Sequence, residues 1–328
     1  QKVMQLEPEN TSCRKSLAAL MNNAAVIKGR KGDRGGEVAD LEKAAELDPA
    51  SVSIKRNLAT AYYNLSVQKG KAEDFQEEVR LLKLARKLEP NDKSLVEALA
   101  RVLSDMAVIK GQQSDIPGQI ALLKESLEVL PADPVTSKNL AAAYNNQAVA
   151  SESSASLEER TKLLEMSLKL DPKNKATLTN LSNILVKEAV KQFKAGEAAQ
   201  AIALLERAAK ADPGNKSVQN NLAAAYHNEG LKKGEMGKHD EELRLLKKAA
   251  ELAPSNTAIK TDLAMAYNDY AVGLGEKGDN KKEILYLSRA LKLVPDNAVI
   301  KENLERAKQK SPQKEGKKGA TPRDKKNK

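Results

Sequence analysis

Eight prolines, Pro8, Pro49, Pro90, Pro131, Pro172, Pro213, Pro254 and Pro295, follow one another at intervals of 41 residues without a slip. A period held this strictly describes a stack of near-identical units, each resting on its neighbours, rather than a chain wrapped around one core. A stack of this kind is suited to holding other molecules.

Composition sets the class of unit. Apolar residues make up 41% of the chain, but aromatics only 3%, with no Trp and two Phe. Layers rich in Ala and Leu fit that balance, so the expectation is all-α. The net charge of +10 is concentrated at one end. Residues 308–328 carry nine Lys or Arg against Glu315 and Asp324, which leaves residues 1–307 at only +3. A nearly balanced body does not announce a basic nucleic-acid groove.

Aligned on the prolines, the chain holds seven complete units and an eighth that stops after one helix. Two residues after each proline stand Asn10, Ser51, Asp92, Asp133, Asn174, Asn215, Asn256 and Asn297, all good N-cap residues. Each proline ends one helix, lacking an N–H, and the next is capped at once. Nine residues after each proline is a Leu (Leu17, Leu58, Leu99, Leu140, Leu181, Leu222, Leu263, Leu304). Four residues on stand Met21, Tyr62, Leu103, Tyr144, Leu185, Tyr226 and Tyr267. A further step of five reaches Val26, Val67, Val108, Val149, Val190, Leu231 and Val272, which are expected to extend the same buried stripe. Gly29, Gly32, Gly70, Gly111, Gly196, Gly237 and Gly278 are expected to end this first helix. A second helix carries an unbroken Leu column, Leu41, Leu82, Leu123, Leu164, Leu205, Leu246 and Leu287. Each unit is then a helical hairpin that neighbours must complete.

The strings NLATAYYN (57–64), NLAAAYNN (139–146), NLAAAYHN (221–228), DLAMAYND (262–269) and LLKKAAELAP (245–254) resemble tetratricopeptide repeats over essentially residues 1–310. Armadillo and HEAT units, of similar length but without this framework, stand as the minor alternative. The resemblance implies a right-handed superhelical solenoid of antiparallel helix pairs with the first helices lining its concave side. Two departures stand out. The unit is seven residues longer than the family's usual one, close to two helical turns, which predicts a longer first helix. Early in the second helix the family's usual Ala is replaced by Glu37, Glu78, Gln119, Arg160, Glu242 and Glu283, with Ala201 the sole match. Packing near the hairpin tip is expected to differ accordingly.

The boundaries that follow are residues 1–7 as the end of a truncated preceding repeat, 8–294 as seven repeats, 295–310 as a capping helix and 311–328 as a disordered basic tail. Val3, Met4 and Leu6 match Ala44, Ala45 and Leu47, so the chain reads as a fragment or a processed product. No signal peptide or membrane-length apolar run is visible. That favours the cytoplasm, with any targeting signal lying upstream of Gln1.

The informative columns lie off the Leu stripe of the first helix. Eight residues after the prolines come Asn57, Asn139, Asn180 and Asn221, with Ser16, Ala98, Asp262 and Asn303 in the other repeats. Seven further on come Asn64, Asn146 and Asn228, with Asn23, Asp105, Lys187 and Asp269. Asn is a mediocre helix former, and its carboxamide offers one acceptor and two donors. A row of such groups can bracket the peptide groups of an extended chain, or it can tie neighbouring first helices together. The column resembles the carboxamide ladder by which members of the family grip extended peptides. A chaperone-type carboxylate clamp is not formed. Lys15 and Asn57 fit two of its places, but Ala19, Ser94 and Ala98 break it.

Catalysis finds no foothold in the sequence. His227 and His239 are the only histidines and fall on different helices, so neither a metal site nor a nucleophilic dyad is expected, and no cofactor is implied. Cys13 stands where other repeats have Ile54, Leu95 and Ile259, which suggests a small buried apolar role. The leading expectation is therefore a non-enzymatic scaffold that binds a protein or an extended peptide. A second is nucleic-acid binding through the tail, with Lys317, Lys318, Arg323, Lys325 and Lys326 as the electrostatic arm. A third is the targeting arm of a larger enzyme.

Overall fold

The computed structural model describes residues 10–310. The truncated repeat expected at 1–7 and the basic tail at 311–328, with its five named cations, lie outside the described residues. Within them the chain is all-α, with fifteen helices and no strand. They pair as hairpins: α1 (Thr11–Arg30) with α2 (Arg34–Leu47), α3 (Val52–Lys71) with α4 (Phe75–Leu88), α5 (Lys93–Gln112) with α6 (Ile116–Val129), α7 (Pro134–Ala150) with α8 (Leu157–Leu170). Next come α9 (Lys175–Lys194) with α10 (Ala198–Ala211), α11 (Lys216–Glu235) with α12 (His239–Leu252), and α13 (Thr257–Glu276) with α14 (Asn280–Leu293). A single helix, α15 (Ala298–Lys310), follows. The chain divides into two compact units, residues 1–177 and 178–328.

Every first helix begins as its cap residue dictates. The side-chain oxygens of Asn10, Ser51, Asp92 and Asp133 accept from the backbone N–H groups of Cys13, Ile54, Leu95 and Thr136. Asn174, Asn215, Asn256 and Asn297 do the same for Thr177, Val218, Ile259 and Ile300. Each cap satisfies an amide that the helix leaves unpaired, worth about 1 kcal/mol. Six of the seven first helices run for 20 residues and the second helices for 14. The exception is α7, at 17 residues, followed by a looser link and a capping box in which Ser156 and Glu159 satisfy each other's backbone N–H groups.

The predicted glycines fall into two classes rather than one. Gly32, Gly196, Gly237 and Gly278 sit in the interhelical turn with φ between 74° and 89°, where a side chain is strained. Glu73 and Ser114 hold that same turn position at φ 59° and 62°. Gly29, Gly70 and Gly111 lie inside their helices instead. Their role is to make room: a Cβ on Gly70 would fall 2.4 Å from the carboxylate of Glu78, and one on Gly29 would meet Glu37. Gly234 with Glu242 and Gly275 with Glu283 repeat the arrangement. The hairpin of α9 and α10 inverts it, with half-buried Phe193 at the glycine position and buried Ala201 at the glutamate position. The family departure in the second helix is thus one half of a volume exchange across the hairpin tip.

The second-helix Leu column forms the spine of the core, each member no more than 2% exposed. Small residues facing it let the helices close. Where that pair includes a serine, its hydroxyl donates to the opposite backbone carbonyl, Ser126 to Ala100 at 2.8 Å and Ser167 to Ala141 at 2.7 Å. The Tyr column is buried as expected (Tyr62, Tyr144, Tyr226, Tyr267). Cys13 is half-buried. In the second unit, α15 buries Ile300, Leu304 and Ala307 against the last hairpin.

The valine column departs from expectation. Val67, Val108 and Val149 are 36%, 44% and 47% exposed. Five residues rotate the helix about 140° past the Tyr column, whereas four lead back to the core. The true continuation is the small column Ala25, Ser66, Ala107, Ala148, Ala189, Gly230 and Ala271, all buried.

Candidate functional site

The position 18 residues after each proline, displaced from the core, joins the positions 8, 11 and 15 residues after it. Offsets of three, four and seven put these four on one side of the helix. In α3 that side carries Asn57, Thr60, Asn64 and Val67; in α5, Ala98, Arg101, Asp105 and Val108; in α7, Asn139, Ala142, Asn146 and Val149. Each first helix therefore presents polar groups beside a partly exposed apolar one. The valines are the functional candidates that the sequence reading missed, and the three-and-four spacing from the Asn columns was the signal for them.

The polar groups are organised by hydrogen bonds between successive first helices. In the first unit, Asn57 Nδ2 donates to Asn22 Oδ1 at 2.9 Å, and Asn22 Nδ2 donates in turn to Asn23 Oδ1 at 3.4 Å. In the second unit, Asn303 Nδ2 donates to Asn268 Oδ1 at 2.8 Å, and Asn268 Nδ2 to Asp269 Oδ1 at 3.0 Å. The same crossing is made by His227 Nε2 and Asp262 Oδ2, 2.6 Å apart. In each Asn relay, a residue from the earlier Asn column of one helix reaches the residue just before the later column on the preceding first helix. Each bond fixes a carboxamide's orientation. Asn57 spends one donor and makes no hydrogen bond through Oδ1 among the described residues.

The sequence-predicted residues are placed as follows. Asn57, Asn64, Asn139 and Asn180 are half-buried, while Asn146, Asn221 and Asn228 are exposed. Asn57, Asn64, Asn139 and Asn146 belong to the first unit, and Asn180, Asn221 and Asn228 to the second. Within the first unit, Asn57 and Asn139 are not adjacent, because the intervening α5 places buried Ala98 in their column. Asn146 accepts from Asn145 at 3.4 Å.

Between α5 and α7 this side opens into a cavity of about 450 Å³. Arg101, Asp105 and Val108 line it from α5, and Val135, Thr136 and Asn139 from α7. At its base the Ser104 and Thr136 hydroxyls lie 3.2 Å apart and link the two helices. Asn139 has both its donors and its acceptor available, because Ser104 holds the position that Asn22 holds for Asn57. The cavity thus combines one arginine, three carboxylates (Glu97, Asp105 and Asp133), a carboxamide and two valines, with the size of a small recognition pocket.

Among the described residues no group of three or more His, Cys, Asp or Glu could hold a metal ion. No described helix is long and apolar enough to cross a membrane.

No family model matches the chain, and no curated protein matches it. Among solved structures it is similar to a TPR repeats protein from Bacteroides fragilis, with 18% identity over 64% of this chain and 98% of that one, at a TM-score of 0.34. It is also similar to YrrB, described as a TPR protein with an unusual peptide-binding site (16% identity, 64% and 92% coverage, TM-score 0.23). A thermophilic TPR protein from Thermus thermophilus matches at 16% identity, 64% and 99% coverage and a TM-score of 0.22. At these values the likeness decides nothing about site or partner. The chain's own helices define an all-α helical-hairpin repeat fold. Its Asn-Leu-Ala and Leu-Leu-Ala-Pro framework makes that fold tetratricopeptide-like.

Proposed function

We propose that the protein is a non-enzymatic scaffold that binds an extended segment of a partner protein along the exposed sides of its first helices. The observation that carries this reading is a cavity of about 450 Å³ between α5 and α7 in which the Asn139 carboxamide lies with the exposed Val108 and Val135. An extended peptide needs two things from its receptor: partners for its backbone groups and apolar places for alternate side chains. Asn57 Oδ1 and the Asn139 carboxamide supply the first, and Val67, Val108 and Val149 the second. Asn180, Asn221 and Asn228 offer the same chemistry in the second unit.

The inter-helix bonds support this reading rather than compete with it. A carboxamide tied at one end presents its other end without a further ordering cost. Each hydrogen bond to a ligand would net about 0.5–1.5 kcal/mol, so several must act together and affinity is expected to be modest. The test is to select binders from random peptides displayed on phage and compare wild type with Asn139→Ala. Selected peptides should bind the variant several-fold more weakly while its melting curve stays in place. Unchanged affinity would remove Asn139 from the site.

A further inference from the structure

We propose that a second site, in the groove between α6, α7 and α8, receives an acidic side chain set among apolar residues of a partner protein. The argument comes from comparing repeats within the chain. In two hairpins the buried tyrosine of the first helix is completed by a glutamate from the preceding second helix, twenty residues earlier. Tyr62 donates to Glu42 Oε1 at 2.7 Å, and Tyr226 donates to Glu206. At Tyr226 a cation completes the set: Lys248 lies 3.5 Å from Glu206 and 4.7 Å above the tyrosine ring.

The hairpin of α7 and α8 has the tyrosine but neither the carboxylate nor the covering lysine. Tyr144 is 6% exposed, and its hydroxyl has no hydrogen-bond partner among the described residues. The position of Glu42 and Glu206 is held here by Lys124. Lys124 and Lys169 both border the groove and make no ion pair among the described residues, and Glu128 stands at its rim. Met166 replaces the lysine that covers Tyr226, so the ring stays uncovered. The result is an apolar groove of about 440 Å³ with Leu127, Leu140, Met166 and Leu170 in its walls. At Tyr267, which also lacks the glutamate, the Tyr286 ring lies against it with centroids 5.7 Å apart.

An unpaired phenol donor in the groove wall, ammonium groups bordering the same groove and apolar walls are the complement of a carboxylate on an apolar support. The groove lies open along its length, which suits a protein segment, and a flexible Met wall can adapt to the side chains beside the acid. This site shares no residue with the Asn-bearing side, so each can fail without the other.

The test uses the full chain labelled at its methionine methyl groups, with the Met166 signal assigned by Met166→Leu. The probes are the blocked peptide Ac-Ser-Leu-Glu-Leu-Ser-NH₂ and its Gln counterpart. The Glu peptide should shift the Met166 signal saturably, and the Gln peptide should bind about tenfold more weakly, the size of one charge-assisted hydrogen bond. Lys124→Glu, which restores the carboxylate found in the other hairpins, should weaken the Glu peptide about tenfold or more and raise the titration of the Tyr144 phenol. Tyr144→Phe, with helical content unchanged, should weaken it several-fold, whereas Asn139→Ala should leave it unaltered. Equal binding of the two peptides, indifference to Lys124→Glu, or no shift at Met166 would each overturn the assignment. Sodium acetate matching the Glu peptide at equal concentration would mark a general anion site and overturn it too.

Discussion

Asn57 reaches from α3 to α1 and donates to Asn22 at 2.9 Å, whereas Asn139, in the same column two hairpins on, faces Ser104 and makes no such bond. The two residues therefore separate stability from binding. Asn57→Ala should cost about 1 kcal/mol of stability, and Asn22→Ala in the same background should add little, a coupling that a double-mutant cycle in urea would measure. Asn139→Ala should change stability by less than about 0.5 kcal/mol.

The hairpin tips should behave as volume pairs. Gly70→Ala places a Cβ against the buried side chain of Glu78 and should destabilise by about 1–3 kcal/mol. Adding Glu78→Ala should recover a good part of that loss, because the hairpin of α9 and α10 already tolerates the reverse arrangement of Phe193 and Ala201. Additive losses, measured as shifts in the urea midpoint, would contradict the pairing.

Glu73 and Ser114 occupy a left-handed turn position that four other repeats give to glycine. Glu73→Gly and Ser114→Gly should each stabilise by about 0.5–1 kcal/mol, the steric relief exceeding the entropy that glycine adds to the unfolded chain. Thermal melts would read this directly.

Burial holds the Glu78 carboxyl above its ordinary range, with Arg101 opposing the shift and Asp105 adding to it. A carboxyl with a raised folded value binds its proton more tightly when folded, so its contribution to stability is lost as pH rises through that value. Glu78→Gln, the residue class that Gln119 already supplies in the next repeat, should raise the melting temperature at about pH 7 and change it little at about pH 4. An equal effect at both values would mean that the carboxylate charge is not what the site resists.

Much of this architecture was legible before any coordinates. The prolines and the Asn, Ser or Asp two residues on marked every described first-helix start, because a missing N–H and a capping oxygen act locally. The second-helix Leu column named the core because a large apolar residue at one fixed place in every repeat meets the same neighbours in each layer. The valines do not continue the buried stripe, because a step of five turns the helix about 140° away from the core. Which carboxamides bond across helices was also beyond a single strand of letters. It depends on the register of one hairpin against the next, and Asn57 and Asn139 have the same address in the repeat but different neighbours. The missing carboxylate beside Tyr144 is legible only from Glu42, Lys124 and Glu206 sharing one position of the repeat.

The central claim is that carboxamides and valines on the first helices grip an extended chain together. The most direct measurement is the affinity of phage-selected peptides for wild type, Asn139→Ala and Val108→Lys, with melting curves recorded in parallel. The account predicts several-fold weaker binding for Asn139→Ala and about tenfold weaker binding for Val108→Lys, both at unchanged stability. Peptides that bind all three proteins equally would contradict it.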